Sequence, residues 1–287
     1  YNPETHKIEF PETPSRGKFY AIGLDVQFPL MFQRGYHTRY LVADVGWEYS
    51  NGLAANTGKL SFDDGGISNV ATIGYQKGIH LTSFSLGFQD FVRSAHRDFA
   101  PPWGIVATAT YAMNPANGSF SDLLSLYAKA YTPGFARHNS FTLAMAYQTS
   151  IGGFQSQDAL SALTFKSSMM LLRGFNASQI ENRNYTAASL NYQFPICYPD
   201  GGIPDILYFK RIRLNAGFDY AQFERRRFHE DGAVHREWQQ INSWGGDIIL
   251  DCNFLGQPAS ATTALKLSLY KPSEGSLYFA AGVELPF

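Results

Sequence analysis

Leu277-Tyr278-Phe279-Ala280-Ala281-Gly282-Val283-Glu284-Leu285-Pro286-Phe287 closes the chain. Counted back by twos from the end, one set is Phe287, Leu285, Val283, Ala281, Phe279 and Leu277, all apolar. The other set holds Glu284 and Gly282. Successive side chains of a strand point to opposite faces, so this spacing predicts a strand with one wholly apolar face.

The same period of two recurs upstream. Tyr20, Ile22, Leu24, Val26 and Phe28 alternate with Ala21, Gly23, Asp25 and Gln27. Leu41, Ala43, Val45, Trp47 and Tyr49 alternate with Val42, Asp44, Gly46 and Glu48. Phe141, Leu143, Met145 and Tyr147 form another such row, as do Leu190, Tyr192, Phe194 and Ile196. Ile212, Leu214, Ala216, Phe218 and Tyr220 stand against Arg211, Arg213, Asn215, Gly217 and Asp219. Trp244, Ile248 and Leu250 alternate with Asp247 and Asp251, and Leu265, Leu267 and Leu269 with Lys266 and Ser268. About twelve strands are predicted, near 19–31, 38–50, 66–77, 79–92, 103–113, 122–132, 139–151, 185–197, 208–223, 238–254, 261–271 and 275–287. Turn-rich segments such as Asn114-Pro115-Ala116-Asn117-Gly118 separate them. The stretch 152–184 is long and irregular, and loops of that length are usually functional or disordered.

A water-soluble β-sandwich also alternates, so length and composition decide between the two. Many runs exceed the roughly 5–6 residues of an average soluble strand and reach the roughly 9–11 of a tilted membrane strand. Charged residues make up 16% of the chain, below the roughly 25% of soluble domains. Mean hydropathy is nevertheless −0.21, and no run of about 18 apolar residues occurs. An antiparallel transmembrane β-barrel reconciles these numbers, because its strands put apolar residues toward lipid and polar ones toward the lumen. Tyr and Trp at run ends suit its aromatic girdles. The expected organisation is an N-terminal extension over 1–18 and a barrel over 19–287. The segment from Glu224 to Glu237, dense in charge, is expected as a solvated loop.

Net charge is −1, which leaves no basic stripe for nucleic acid. The stretch opens at Tyr1 without an apolar signal segment, as expected of a mature form or a fragment. By alternation Cys197 points inward and Cys252 toward lipid, with a strand between theirs; no disulfide is expected. His229 and His235, with Glu230 and Asp231, are the candidates for acid-base or metal chemistry in an outer-membrane hydrolase. No Gly-x-Ser-x-Gly accompanies them, and the chain is not expected to be an enzyme or to hold a cofactor or metal.

The terminal strand resembles the carboxy-terminal signal of many bacterial outer-membrane barrels, an aromatic ending an alternating strand. The resemblance implies that Phe287, Leu285 and Val283 guide recognition by the outer-membrane assembly machinery. It also implies that the last strand ends in the periplasm. Counting back then puts 152–184 outside the cell or into the lumen from that side.

Within that segment stands Leu172-Arg173-Gly174-Phe175, followed by Ala188-Ser189-Leu190-Asn191-Tyr192-Gln193-Phe194-Pro195 and then Gly217-Phe218-Asp219. This order resembles the BamA/TamA superfamily of outer-membrane assembly and translocation barrels. There, a long extracellular loop enters the lumen with a (Val/Leu)-Arg-Gly-(Phe/Tyr) tip, and its Arg pairs with acids on the next two strands. Five strands follow that loop in the family, and five are predicted here. The family barrel has sixteen strands, whose last twelve the predicted set would match. Pro101-Pro102-Trp103-Gly104 and Tyr131-Thr132-Pro133-Gly134 are similar in spacing to Bacteroidota members. The resemblance implies assistance to insertion or translocation of protein or lipid at the outer membrane of a Gram-negative bacterium. It implies the lipid bilayer, lipopolysaccharide and other outer-membrane or periplasmic proteins as partners.

Asp219 lies on the polar face by alternation, within reach of a loop entering the lumen. Gly174 permits a tight turn, and Phe175 is expected to pack against the wall. Where the family usually has Glu, this chain has Asn191, which implies a weaker or differently built Arg latch. The competing expectation is a passive outer-membrane channel or structural barrel with 152–184 as a constriction loop.

Overall fold

The computed structural model describes residues 20–50, 61–63, 66–68, 79–94, 98, 100–113, 115, 122–151, 172–176, 180, 184–203, 206–229, 234–254 and 262–284. It is all-β and antiparallel, with no helix among the described residues. Eleven long strands are joined in sequence order: β1 (Ala21–Arg34), β2 (His37–Ser50), β5 (Ile79–Val92), β6 (Gly104–Met113), β7 (Asp122–Pro133), β8 (Ser140–Ile151), β9 (Tyr185–Cys197), β11 (Leu207–His229), β12 (Val234–Phe254), β13 (Thr263–Pro272) and β14 (Tyr278–Glu284). Three short strands complete one sheet: β3 (Ser61–Asp63), β4 (Gly66–Ser68) and β10 (Gly201–Ile203). Among the described residues β1 and β14 do not pair with each other, so the sheet is open between them. Most sequence neighbours are joined as hairpins by short connections, while longer segments link β2 to β5 and β8 to β9.

Burial follows the alternation, with the sign reversed relative to a water-soluble sheet. On β8 the apolar side chains are the exposed ones: Leu143 at 42%, Met145 at 53% and Tyr147 at 44%. Between them Thr142, Ala144, Ala146 and Gln148 are buried. On β11 Arg211, Asn215 and Asp219 are buried while Phe218 is exposed. On β12 Asp247 and Asp251 are buried while Trp244 and Ile248 are exposed. The sheet thus has a polar face turned to the interior and an apolar face turned outward.

Several expectations need correction. The predicted strand 66–77 is not inserted between its sequence neighbours, because β2 and β5 pair directly over fourteen residues. Its described part, β4, instead pairs with Arg227–His229 at the far end of β11. The expected loop 224–237 is mostly strand. β11 and β12 extend into a hairpin of 23 and 21 residues, beyond the point where β9 ends opposite Phe223. Those extra residues leave an edge of β11 without β9, and β4 occupies it.

Cys197 is on the outer face. A register shift lies between Ile212 and Arg213, and Cys197 stands opposite Ile212 while Pro195 stands opposite Arg213. The extra residue, Ile196, turns the residue after it to the other face. Cys252 is buried, not lipid-facing, and its thiol donates to the Thr263 carbonyl. Both cysteines are free thiols. Of the terminal signal, Val283 is an exposed residue of β14, and Leu285 and Phe287 lie outside the described residues.

Candidate functional site: an arginine latch on the polar face

The polar face is assembled from rows that cross the strands. One row runs Lys129, Ala144, Ser189, Asp219 and Ser243 over β7, β8, β9, β11 and β12. The next, two residues along each strand, runs Tyr131, Thr142, Asn191, Gly217, Gly245 and Tyr270. The guanidinium of Arg173 lies across both rows.

Arg173 donates from Nε to Asp219 Oδ2 at 2.7 Å and from Nη2 to Asp219 Oδ1 at 2.5 Å. This is a bidentate fork, the geometry that planar guanidinium and carboxylate groups share. Its backbone N–H adds a third bond to Asp219 Oδ2 at 3.1 Å. Nη1 donates to Asn191 Oδ1 at 2.7 Å and to the Tyr270 hydroxyl at 2.6 Å, and Nη2 to Ser189 Oγ at 3.3 Å. The guanidinium carbon also sits 4.5 Å from the Tyr270 ring centre, a cation–π contact. Asp219 further accepts from Ser189 at 2.6 Å. Burial disfavours the Arg173 charge, but the hydrogen bonds and charge of Asp219 outweigh it, and the pKa is held above the usual arginine value.

Two glycines make the fit possible. Gly174 has φ +88, a left-handed conformation that turns the tip back on itself. A Cβ at Gly217 would stand 2.6 Å from both Nη1 and Nη2 of Arg173. Gly217 is therefore a notch in the wall that the guanidinium fills. Around it, Leu172 and Phe175 are buried with Tyr185, Ala187, Ala221, Phe223 and Ile241. The tip is thus anchored by a charged fork on one side and an apolar cluster on the other.

Asn191 takes the position where the resemblance implies an acid. It accepts from Arg173 and from Asn215, and carries no charge. The second carboxylate comes from β12 instead. The Tyr270 hydroxyl accepts from Arg173 and donates to Asp247 Oδ2 at 2.9 Å. Asp247 itself is 3.9 Å from Arg173 Nη1 and also accepts from Asn215 at 2.7 Å. The latch is built differently rather than simply weakened. Farther along β11 and β12, Asp251 pairs with Arg211 and, at 3.1 Å, with Arg213.

Of the residues named from sequence, Arg173, Gly174, Phe175, Asp219 and Asn191 come together here. Ser189, Gly217, Asp247 and Tyr270 were not singled out. Tyr270 continues the Lys266, Ser268 alternation, which marks it as inward. His229 and His235 lie near the ends of β11 and β12, where their own side chains are not among the described ones, and Glu230 and Asp231 lie outside the described residues. No group of three or more His, Cys, Asp or Glu with metal-binding geometry occurs among the described residues. No protein-family model matches the chain, and no curated protein or solved structure does either.

Proposed function

We propose that this chain forms the greater part of an outer-membrane β-barrel of BamA/TamA type, which assists insertion or passage of protein or lipid. The observation that carries this reading is the docked tip Leu172-Arg173-Gly174-Phe175, with Arg173 forked onto Asp219 of the second long strand after the loop. Five long strands follow the loop, the number the resemblance implies. The six before it give eleven of the family's sixteen.

The exposed apolar face supports the membrane part of the reading. Contiguous apolar patches beyond a few hundred Å² are uncommon on soluble monomers. From Tyr20, just before β1, the outward residues run along the strand to Phe32. That is roughly 40 Å of strand at the usual rise. Tilted near 45°, it spans about 29 Å, close to the thickness of a bilayer's hydrocarbon core. Aromatic rings gather at both ends of this face: Tyr20 with Tyr49 at one, and Phe135, Phe141 and Tyr192 at the other.

The test is Arg173→Ala in the full-length protein, read by folded yield in the membrane and by accumulation of an outer-membrane client. The expected result is a fall in both. Normal folding and client levels with only an altered single-channel conductance would favour the passive-channel reading and overturn this one.

A further inference from the structure

Beside the latch the polar face carries a half-open pocket of about 390 Å³, lined from β7, β8, β9, β11 and β13. This is within the size range of small-molecule sites. Four of its described lining residues are cations, Lys129, Arg173, Arg213 and Lys266, and none is a carboxylate. The acids of this region stand behind the cations, not in the cavity wall. Asp219 is taken by Arg173, Asp251 by Arg211 and Arg213, and Asp247 lies 3.8 Å from Lys266.

These four cations and Arg211 stand against four carboxylates, Asp219, Asp247, Asp251 and Glu284, the last 3.4 Å from Lys266. The excess is one positive charge in a chain whose net charge is −1. Lys129 carries it. Its ammonium lies 4.8 Å over the Tyr131 ring, and no described carboxylate is within ion-pair distance of it. An uncompensated cation at a partly buried site is costly unless an anion joins it.

The rest of the lining narrows the ligand. Thr142, Ser189, Asn191, Gln193 and Asn215 present hydroxyls and amides suited to a polyhydroxylated body. Tyr127 and Tyr131 flank the Lys129 end with aromatic rings. The lining is elongated, because Lys129 shares a row with Asp219 whereas Arg213 lies six residues farther along β11. Cations therefore stand at both ends of a groove whose middle is neutral and polar. We infer that this cavity binds a phosphorylated sugar-like group, with Lys129 holding a phosphate at one end and Arg213 and Lys266 receiving a second acidic group at the other. The inference does not depend on the proposed role of the chain in insertion or passage.

The chemistry can come from a soluble sugar phosphate or from a phosphorylated lipid headgroup, and the experiment separates them. The full-length protein in a zwitterionic detergent is titrated with fructose 1,6-bisphosphate, with glucose as the uncharged control. In parallel it is reconstituted in nanodiscs of phosphatidylcholine with and without phosphatidic acid. Reaction of Lys129 with an amine-labelling reagent is followed by mass spectrometry in each case. Saturable bisphosphate binding at least tenfold tighter than glucose, with protection of Lys129, supports the site and a soluble ligand. Protection only in phosphatidic acid nanodiscs supports the site and a headgroup ligand. Lys129→Met should weaken whichever binding is found at least tenfold, and Lys129→Arg should retain it. Absence of both saturable binding and Lys129 protection in every arm overturns the inference, as does binding unchanged in Lys129→Met. Protection on the unaltered protein keeps the test decisive if Lys129→Met does not fold. Client accumulation is not read here, so its failure and this one are told apart.

Discussion

The two halves of the sheet treat the same alternation differently. Across β8 to β13 the polar face is covered around the latch: Asp219, Ser243, Asp247 and Tyr270 are at most 2% exposed. Across β1, all fourteen residues are exposed on both faces. The strands do not differ in pattern, since Gly23, Asp25 and Gln27 alternate with apolar neighbours as regularly as Asn215, Gly217 and Asp219 do. What differs is that Leu172-Arg173-Gly174-Phe175 lies on one half. Alternation chooses which side chain faces inward; burial of that side chain needs something to be packed against it.

The contrast can be broken most severely at Asp219. Asp219→Ala leaves the Arg173 guanidinium without its fork and should cost about 3–5 kcal/mol, the range for breaking a buried pair on one side. The loss is read as a shifted denaturant midpoint in reconstituted protein. A loss under 1 kcal/mol would mean that the apolar cluster alone holds the tip. Tyr270→Phe should cost less, about 1–3 kcal/mol, because it removes only the hydroxyl that joins Arg173 to Asp247. Combining it with Asp219→Ala should give less than the sum of the two, since both remove parts of one network. The smallest effect belongs to the open half. Asp44 on β2 has another acid, Asp25, as its charged neighbour, and Asp44→Ala should stay within about 0.5 kcal/mol of the parent. A large loss there would show that the polar face of β1 and β2 is covered in the membrane.

Much of this organisation was legible in the sequence, and the reasons are local. Period-two alternation located the eleven long strands because each has a polar and an apolar side throughout. Arg173 and Asp219 were readable as a pair through the resemblance of the loop tip to the BamA/TamA motif, with alternation putting Asp219 on an inward position. The errors share a different cause. Residues 66–77 alternate weakly, and the strand found there, β4, is positioned by the free edge of β11, which no local pattern announces. Charge density made 224–237 look like a loop, yet a hairpin that projects past its neighbours is also solvated. The face of Cys197 turned on one extra residue at Ile196, a bulge that leaves no composition signal. Gly217 reads as a weak strand residue until the guanidinium that fills its place is known.

The spread of the Arg173 contacts along the chain has a kinetic consequence. Its partners lie at Ser189, Asn191, Asp219 and Tyr270, the last 97 residues away. Contacts at such separation form only after the intervening chain has been ordered. The first of these bonds can close once β9 arrives, but the aromatic lid over the guanidinium waits for β13. During folding the latch thus closes in stages, and its completion reports that β9, β11, β12 and β13 have come together.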